Sequence, residues 1–164
     1  MFPLHVVPEN PSRPAKLRLS VNYAVCEKLC IPAKAEATLE LTREPSPHDV
    51  QLAAAEAQTP KPVGLGEATP FGITAVRREP GSPYPRVVVE AAAPAAASLD
   101  LFAEGPTGDW ALPLPEPVPG APPGRRWFAF DLDGLPPGAH AIGARLRLTL
   151  VSGESAVEVT TTLK

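Results

Sequence analysis

Cys26 and Cys30 lie four positions apart and are the only cysteines in the 164-residue chain. Thiols at this spacing can form a disulfide and exchange it with the thiols of another protein, or they can hold a soft metal ion. The pair is poorly placed as a structural crosslink, because closing so short a loop stabilises a fold by about 2 kcal/mol, against about 4.7 for a loop of roughly a hundred residues. We therefore interpret both cysteines as candidate catalytic residues for thiol-disulfide exchange.

The segments on either side of the pair have the alternation of half-buried β-strands. Apolar residues occupy the odd positions of residues 15–26, and residues 34–41 repeat this pattern after the cysteines. This predicts a hairpin with the cysteines at its turn and with Cys26 on the polar side, whereas parity does not place Cys30. The short apolar run over residues 2–7 predicts a third strand.

Metal binding is the main rival chemistry for the two thiols. Two thiolates can hold Cu(I), whereas zinc needs four ligands. The histidines, His5, His48 and His140, have no ligand-like spacing with the cysteines. Two alternatives to exchange stay open: a non-catalytic binding or structural module with a structural disulfide, and a Cu(I)-binding thiol pair. Neither a resident metal nor another cofactor is predicted.

Charge and hydropathy argue against two classes of partner. The formal net charge is −3, and the basic residues are scattered, so a nucleic-acid partner is not expected. The sequence contains no run of 18 or more apolar residues, so insertion of this chain into a membrane is not predicted. Residues 1–20 lack the pattern of a secretory signal. The 23 prolines and 12 glycines stay below the share typical of disorder. We expect a folded chain.

The rest of the sequence predicts a short helix and a second β unit. Ser46 is predicted as a helix cap and Pro47 as the first helical residue, with the alanine-rich residues 50–57 following, and residues 58–69 are predicted as a linker. Seven strands are predicted after it, over residues 71–77, 86–92, 98–103, 110–114, 126–132, 142–151 and 156–163. The predicted organisation is a partial cysteine-bearing unit (1–42), a helix and linker (43–69) and an immunoglobulin-like β-sandwich (70–164), which makes the chain all-β.

The cysteine hairpin resembles a known family. The run Phe2-Pro3-Leu4, the strand from Ala15 to Leu19, and Asn22-Tyr23-Ala24-Val25-Cys26-Glu27-Lys28-Leu29-Cys30-Ile31-Pro32 are similar to the amino-terminal periplasmic domain of the DsbD and ScsB disulfide reductases. The ScsB branch is the closer match. The resemblance covers residues 1–42, and over residues 70–164 it is one of architecture.

The resemblance implies an immunoglobulin-like fold and a role in a protein-disulfide reductase of the periplasm. In that role the pair accepts reducing equivalents from a membrane-embedded thiol reductase domain and passes them to periplasmic thioredoxin-like proteins. It further implies that Cys30 forms the mixed disulfide and that Cys26 resolves it. Because residues 1–42 supply only three predicted strands, we expect the first unit to be incomplete and the chain to be a piece of a longer exported protein.

The predicted linker can be tested by limited proteolysis of the whole chain. Exposed connections between compact units are cut before the units themselves, so the earliest cuts should fall within residues 43–70. Fragment masses measured by mass spectrometry identify the sites. Early cuts clustering elsewhere would argue against a two-unit organisation.

Overall fold

The chain, in a computed structural model that describes residues 3–10, 12–41, 44–94 and 96–164, divides into two compact units. The units are Met1–Ala57 and Gln58–Lys164, named here the hairpin unit and the sandwich unit. The domain boundaries predicted at residues 42 and 70 stay a prediction.

The hairpin unit is built on two long antiparallel strands, β1 (Ala15–Cys26) and β2 (Cys30–Leu41). Their register runs without a break from Ala15 opposite Leu41 to Cys26 opposite Cys30. Side chains directly opposite each other lie on the same face of a ladder, so the apolar odd positions of both strands share one face. The predicted hairpin is confirmed.

The helix α1 (Asp49–Ala57) follows the hairpin and is fixed at its start by Ser46. The Ser46 Oγ accepts a hydrogen bond from the backbone N–H of His48 at 3.2 Å, and Asp49 Oδ2 accepts one from the Ser46 N–H at 2.9 Å. This reciprocal arrangement is a capping box, which satisfies donors that a helix start leaves free. The predicted helix is confirmed, although it begins at Asp49 and not at Pro47.

The third strand predicted over residues 2–7 is wrong for the part of it that the structure describes. Residues 3–8 belong to no strand, and Phe2 lies outside the described residues. The run contains Pro3 and ends at Pro8, and proline lacks the N–H that a ladder requires. An apolar run that lacks period-two alternation is therefore insufficient to predict a strand in this segment.

The sandwich unit consists of short strands in two sheets. These strands are β3 (Lys61–Pro62), β4 (Gly72–Glu79), β5 (Arg86–Ala92), β6 (Asp100–Glu104), β7 (Glu116–Val118), β8 (Arg125–Asp131), β9 (Arg145–Ser152) and β10 (Ser155–Thr162). One sheet has the order β3-β10-β9-β6 and the other β4-β5-β8-β7. Neighbouring strands are antiparallel except β3 and β10, which are parallel. The predicted all-β, immunoglobulin-like sandwich is confirmed.

The core of the sandwich unit follows from the period-two pattern of its strands. Leu146, Leu148 and Leu150 of β9 are fully buried, while the alternating residues Arg145 and Arg147 are exposed. The opposite sheet contributes its own inward row, and the buried cluster includes Val87, Val89, Phe128 and Phe130. Side chains from both sheets thus interdigitate in one apolar core.

The structure differs from the prediction in one strand and in the linker. The strand expected over residues 110–114 does not form, since Pro113 removes a ladder donor from that segment. The strand that follows is β7, which tolerates Pro117 because it lies at the edge of its sheet. Ala111 keeps a single backbone hydrogen bond, to the Gly134 carbonyl at 2.9 Å. The predicted linker contains β3, after which the Val63 N–H donates to the Glu158 carbonyl at 2.9 Å.

A cluster centred on Glu90 ties together three strands of the second sheet. Its carboxylate accepts hydrogen bonds from Trp127 Nε1 at 2.9 Å and from Thr74 Oγ1 at 2.8 Å, and Arg125 Nε lies 3.5 Å away. The Arg77 guanidinium lies 4.7 Å from the centroid of the Trp127 ring. The hydrogen bonds from Trp127 and Thr74 lower the pKa of Glu90, helped by the two arginines and opposed by burial.

This lowered pKa predicts a pH-dependent contribution to stability. A group whose pKa is lower in the folded state contributes stability above its unfolded pKa, and the contribution is lost as the pH falls through the folded pKa. We expect Glu90→Gln to reduce the free energy of unfolding by about 1–2 kcal/mol at neutral pH, with the deficit shrinking below roughly pH 5. Denaturant titrations followed by tryptophan fluorescence measure it.

Glu158→Gln is the matched control for this substitution. It removes an ion pair with Arg147 on the other sheet, where Nε and Oε1 are 3.6 Å apart, and a surface pair is worth at most about 1 kcal/mol. A deficit of Glu90→Gln that is the same at neutral and acidic pH would contradict the account of the cluster.

Candidate redox-active site

A disulfide joins Cys26 and Cys30 at the tip of the hairpin unit, with an S–S distance of 2.06 Å. The two residues are the last paired positions of β1 and β2. Their α-carbons are 4.1 Å apart, closer to the spacing of a non-hydrogen-bonded antiparallel pair than to that of a hydrogen-bonded one. The ladder therefore brings both sulfurs together on one side of the ribbon.

Pro32 supports this assignment of the ladder. It lies opposite Ala24, two positions from the cysteine pair, so the Ala24–Pro32 pair has the same phase as Cys26–Cys30. At a non-hydrogen-bonded pair the N–H points away from the partner strand, and there the missing donor of proline removes no bond from the hairpin. Pro32 therefore fits an unbroken ladder only if Ala24–Pro32 is a non-hydrogen-bonded pair, as it is in this register. In the alternate bonding phase, the missing proline N–H would remove a bond from the ladder.

The disulfide lies on the polar face of the ribbon, opposite the apolar odd-numbered positions. The even positions Asn22, Ala24 and Cys26 share that face. The prediction for Cys26 is confirmed, and Cys30, which parity did not place, lies on the same face because it is directly opposite.

The site is open to a large reactant. Cys26, Cys30 and the three residues between them are all exposed. The turn is closed by a long hydrogen bond, in which the Glu27 N–H donates to the Leu29 carbonyl at 3.4 Å. A disulfide at an exposed hairpin tip offers an incoming thiolate an approach along the S–S axis, which is the geometry that exchange requires.

The charges around the disulfide balance. Glu27 and Lys28 follow Cys26 in the turn and carry opposite charges. On the adjoining polar face Lys34 Nζ lies 2.5 Å from Glu36 Oε1, and both side chains are exposed. The four charges cancel in two pairs, one in the turn and one four to six residues along β2 from Cys30.

The other face of the tip is apolar, which the sequence reasoning did not connect with the cysteines. Val25 lies directly opposite Ile31, one position from the disulfide on both strands, and Leu29 is in the turn. All three side chains are exposed. The sequence signal for this apolar face is the period-two alternation of apolar residues. It includes Val25 before the turn, and the register shows that it also includes Ile31 after the turn.

No histidine was predicted as a ligand of the cysteines. Among the residues described, no group of three or more His, Cys, Asp or Glu side chains is arranged to hold a metal ion. His48 is placed at the start of α1, where its Nδ1 lies 3.3 Å from Gln51 Oε1. The site that the structure assembles from the predicted residues is the cysteine pair.

Within the described ranges, no helix has the length and apolarity needed to cross a bilayer.

Comparison with known proteins identifies the fold. No protein-family model matches the chain, and the comparison with curated proteins gives no match. Among solved structures, the chain is similar to the N-terminal periplasmic domain of ScsB from Proteus mirabilis, with a TM-score of 0.57 and 18% sequence identity. The similarity covers 88% of this chain and 57% of that one, so this chain spans little more than half of its length. The resemblance to the ScsB branch is confirmed as a shared fold.

Proposed function

We propose that the chain is a thiol-disulfide exchange module of a periplasmic protein-disulfide reductase, with Cys26 and Cys30 as its reactive pair. The observation that carries the proposal is the exposed disulfide at the hairpin tip, closing a loop too short for an efficient crosslink. The fold shared with a periplasmic ScsB domain supports the same assignment.

The exchange has two steps, and each is balanced. A thiolate of a reduced partner attacks Cys30 Sγ, which forms a mixed disulfide and releases Cys26 as a thiolate. The second thiolate of the partner then attacks the partner's first sulfur, which is bonded to Cys30 Sγ, and releases Cys30 as a thiolate. Two electrons pass to the chain, the partner becomes a disulfide, and the two new thiolates take up protons according to their pKa values.

Delivery to a periplasmic acceptor is the reverse sequence. The Cys30 thiolate attacks the acceptor disulfide, and Cys26 then attacks Cys30 Sγ, which restores the Cys26–Cys30 disulfide and leaves the acceptor as a dithiol. We propose a membrane-embedded thiol reductase domain as the electron donor and thioredoxin-like proteins of the periplasm as acceptors. A structural role is proposed for residues 70–164, with the domain boundaries at residues 42 and 70.

The proposal predicts that a protein dithiol reduces this disulfide. Incubation of the whole chain with excess reduced thioredoxin should produce two new thiols per chain, counted by mass spectrometry after alkylation. The control is the Cys26→Ser/Cys30→Ser variant, which should retain the fold and gain no thiols. A disulfide that dithiothreitol reduces but excess thioredoxin does not would contradict an exchange role.

A further inference from the structure

Proline occupies every second position of the segment that contains β7. The four residues are Pro113, Pro115, Pro117 and Pro119. A period of two is also the period with which the backbone N–H groups of a strand point to its two edges in turn. Because proline has no N–H, all four positions lack a donor in the same phase of the strand.

The pairing of β7 shows which edge these prolines face. β7 is the last strand of its sheet, and Pro117 lies opposite Phe128 of β8. Pro117 cannot donate, so the donors of β7 in this ladder come from Glu116 and Val118, whose N–H groups point toward β8. The nitrogen of Pro117 therefore faces the free edge. The flanking prolines, one residue beyond either end of the strand, fall in the same phase.

Without its prolines this segment would favour pairing with another strand. The residues between and beside the prolines are Leu112, Leu114, Glu116 and Val118, of which one is charged. Leu114 is 66% exposed. An apolar, weakly charged window of this length that lacks proline is a typical site of association between strands. Proline whose nitrogen faces the free edge removes the donors of that edge and leaves the ladder to the neighbouring strand intact.

The other edge strands of the two described sheets are protected by different means. β3 has only two residues. β6 begins at Asp100 and ends at Glu104, so two copies of it paired antiparallel would place like charges opposite each other. β4 has an irregularity between Ile73 and Ala75, and the Gly66 N–H donates to the Ile73 carbonyl at 3.0 Å. At β7 the prolines take this part.

We propose that Pro115, Pro117 and Pro119 close the free edge of β7 against strand pairing with a second copy of this chain. A twofold dimer would place the two β7 edges antiparallel, and each bond between them would need an N–H from one copy. Both edges present carbonyl oxygens and no donor at these positions, so the pairing would bury acceptors without partners. The edge therefore disfavours association of the sandwich unit, independently of the exchange function proposed above.

The test restores donors to this edge in the whole chain, with the disulfide intact. In Pro117→Val/Pro119→Val both changed positions gain an N–H and a side chain that favours strands. We expect the mean mass in sedimentation equilibrium to approach about twice that of the unchanged chain at the same concentration. Amide hydrogen exchange at position 117 should slow about tenfold between about 10 and 300 µM protein, because pairing protects the restored donor.

Two further variants make the comparison specific. Pro122→Val/Pro123→Val changes two exposed prolines in the loop before β8 and should leave the mass unchanged. Pro117→Val alone restores the one donor within β7 and should show the same concentration-dependent protection in weaker form. This single variant decides the test if the double variant fails to fold.

Three outcomes would refute the closed edge. In the first, both edge variants keep the mass of the unchanged chain, and exchange at position 117 is independent of concentration. In the second, the edge variants associate without protection at that position, because the contact then lies elsewhere. In the third, the loop variant associates equally, which would make the loss of proline in general responsible and not the free edge of β7.

Discussion

The register of the β1–β2 ladder is the constraint on which the site depends. Because Cys26 lies directly opposite Cys30 at a closely spaced pair, the register of the ladder places the two sulfurs side by side. A shift of one residue in either strand would move one cysteine to the other face and separate them. Pro32 fits only one of the two bonding phases, and this is the phase in which the cysteine pair is closely spaced.

The same register divides the hairpin tip chemically. One face carries the disulfide beside small and polar residues, and the other carries Val25 and Ile31. The reactive bond and the apolar surface are therefore neighbours at the same end of one ribbon. The proposed chemistry needs only the first of these faces, on which the disulfide is accessible.

Much of this could be predicted from the sequence, because period-two alternation determines which face a strand residue occupies. Cys26 was placed in this way. The face of Cys30 could not be predicted, because the turn interrupts the alternation and the register across the turn is known only from the structure. The missing strand over residues 110–114 shows a second limit: Trp110 and Leu112 alternate as in a strand, but Pro113 follows them and removes a ladder donor. The Glu90–Trp127 hydrogen bond joins residues 37 positions apart, which no local pattern encodes.

The midpoint potential of the Cys26–Cys30 disulfide tests the central claim most directly. It is measured by equilibrating the whole chain with dithiothreitol buffers of graded reduced-to-oxidised ratio and counting alkylated thiols. The account predicts a potential above about −300 mV, in the range of proteins that exchange disulfides. A potential below that value would identify a structural crosslink and contradict the proposed exchange function.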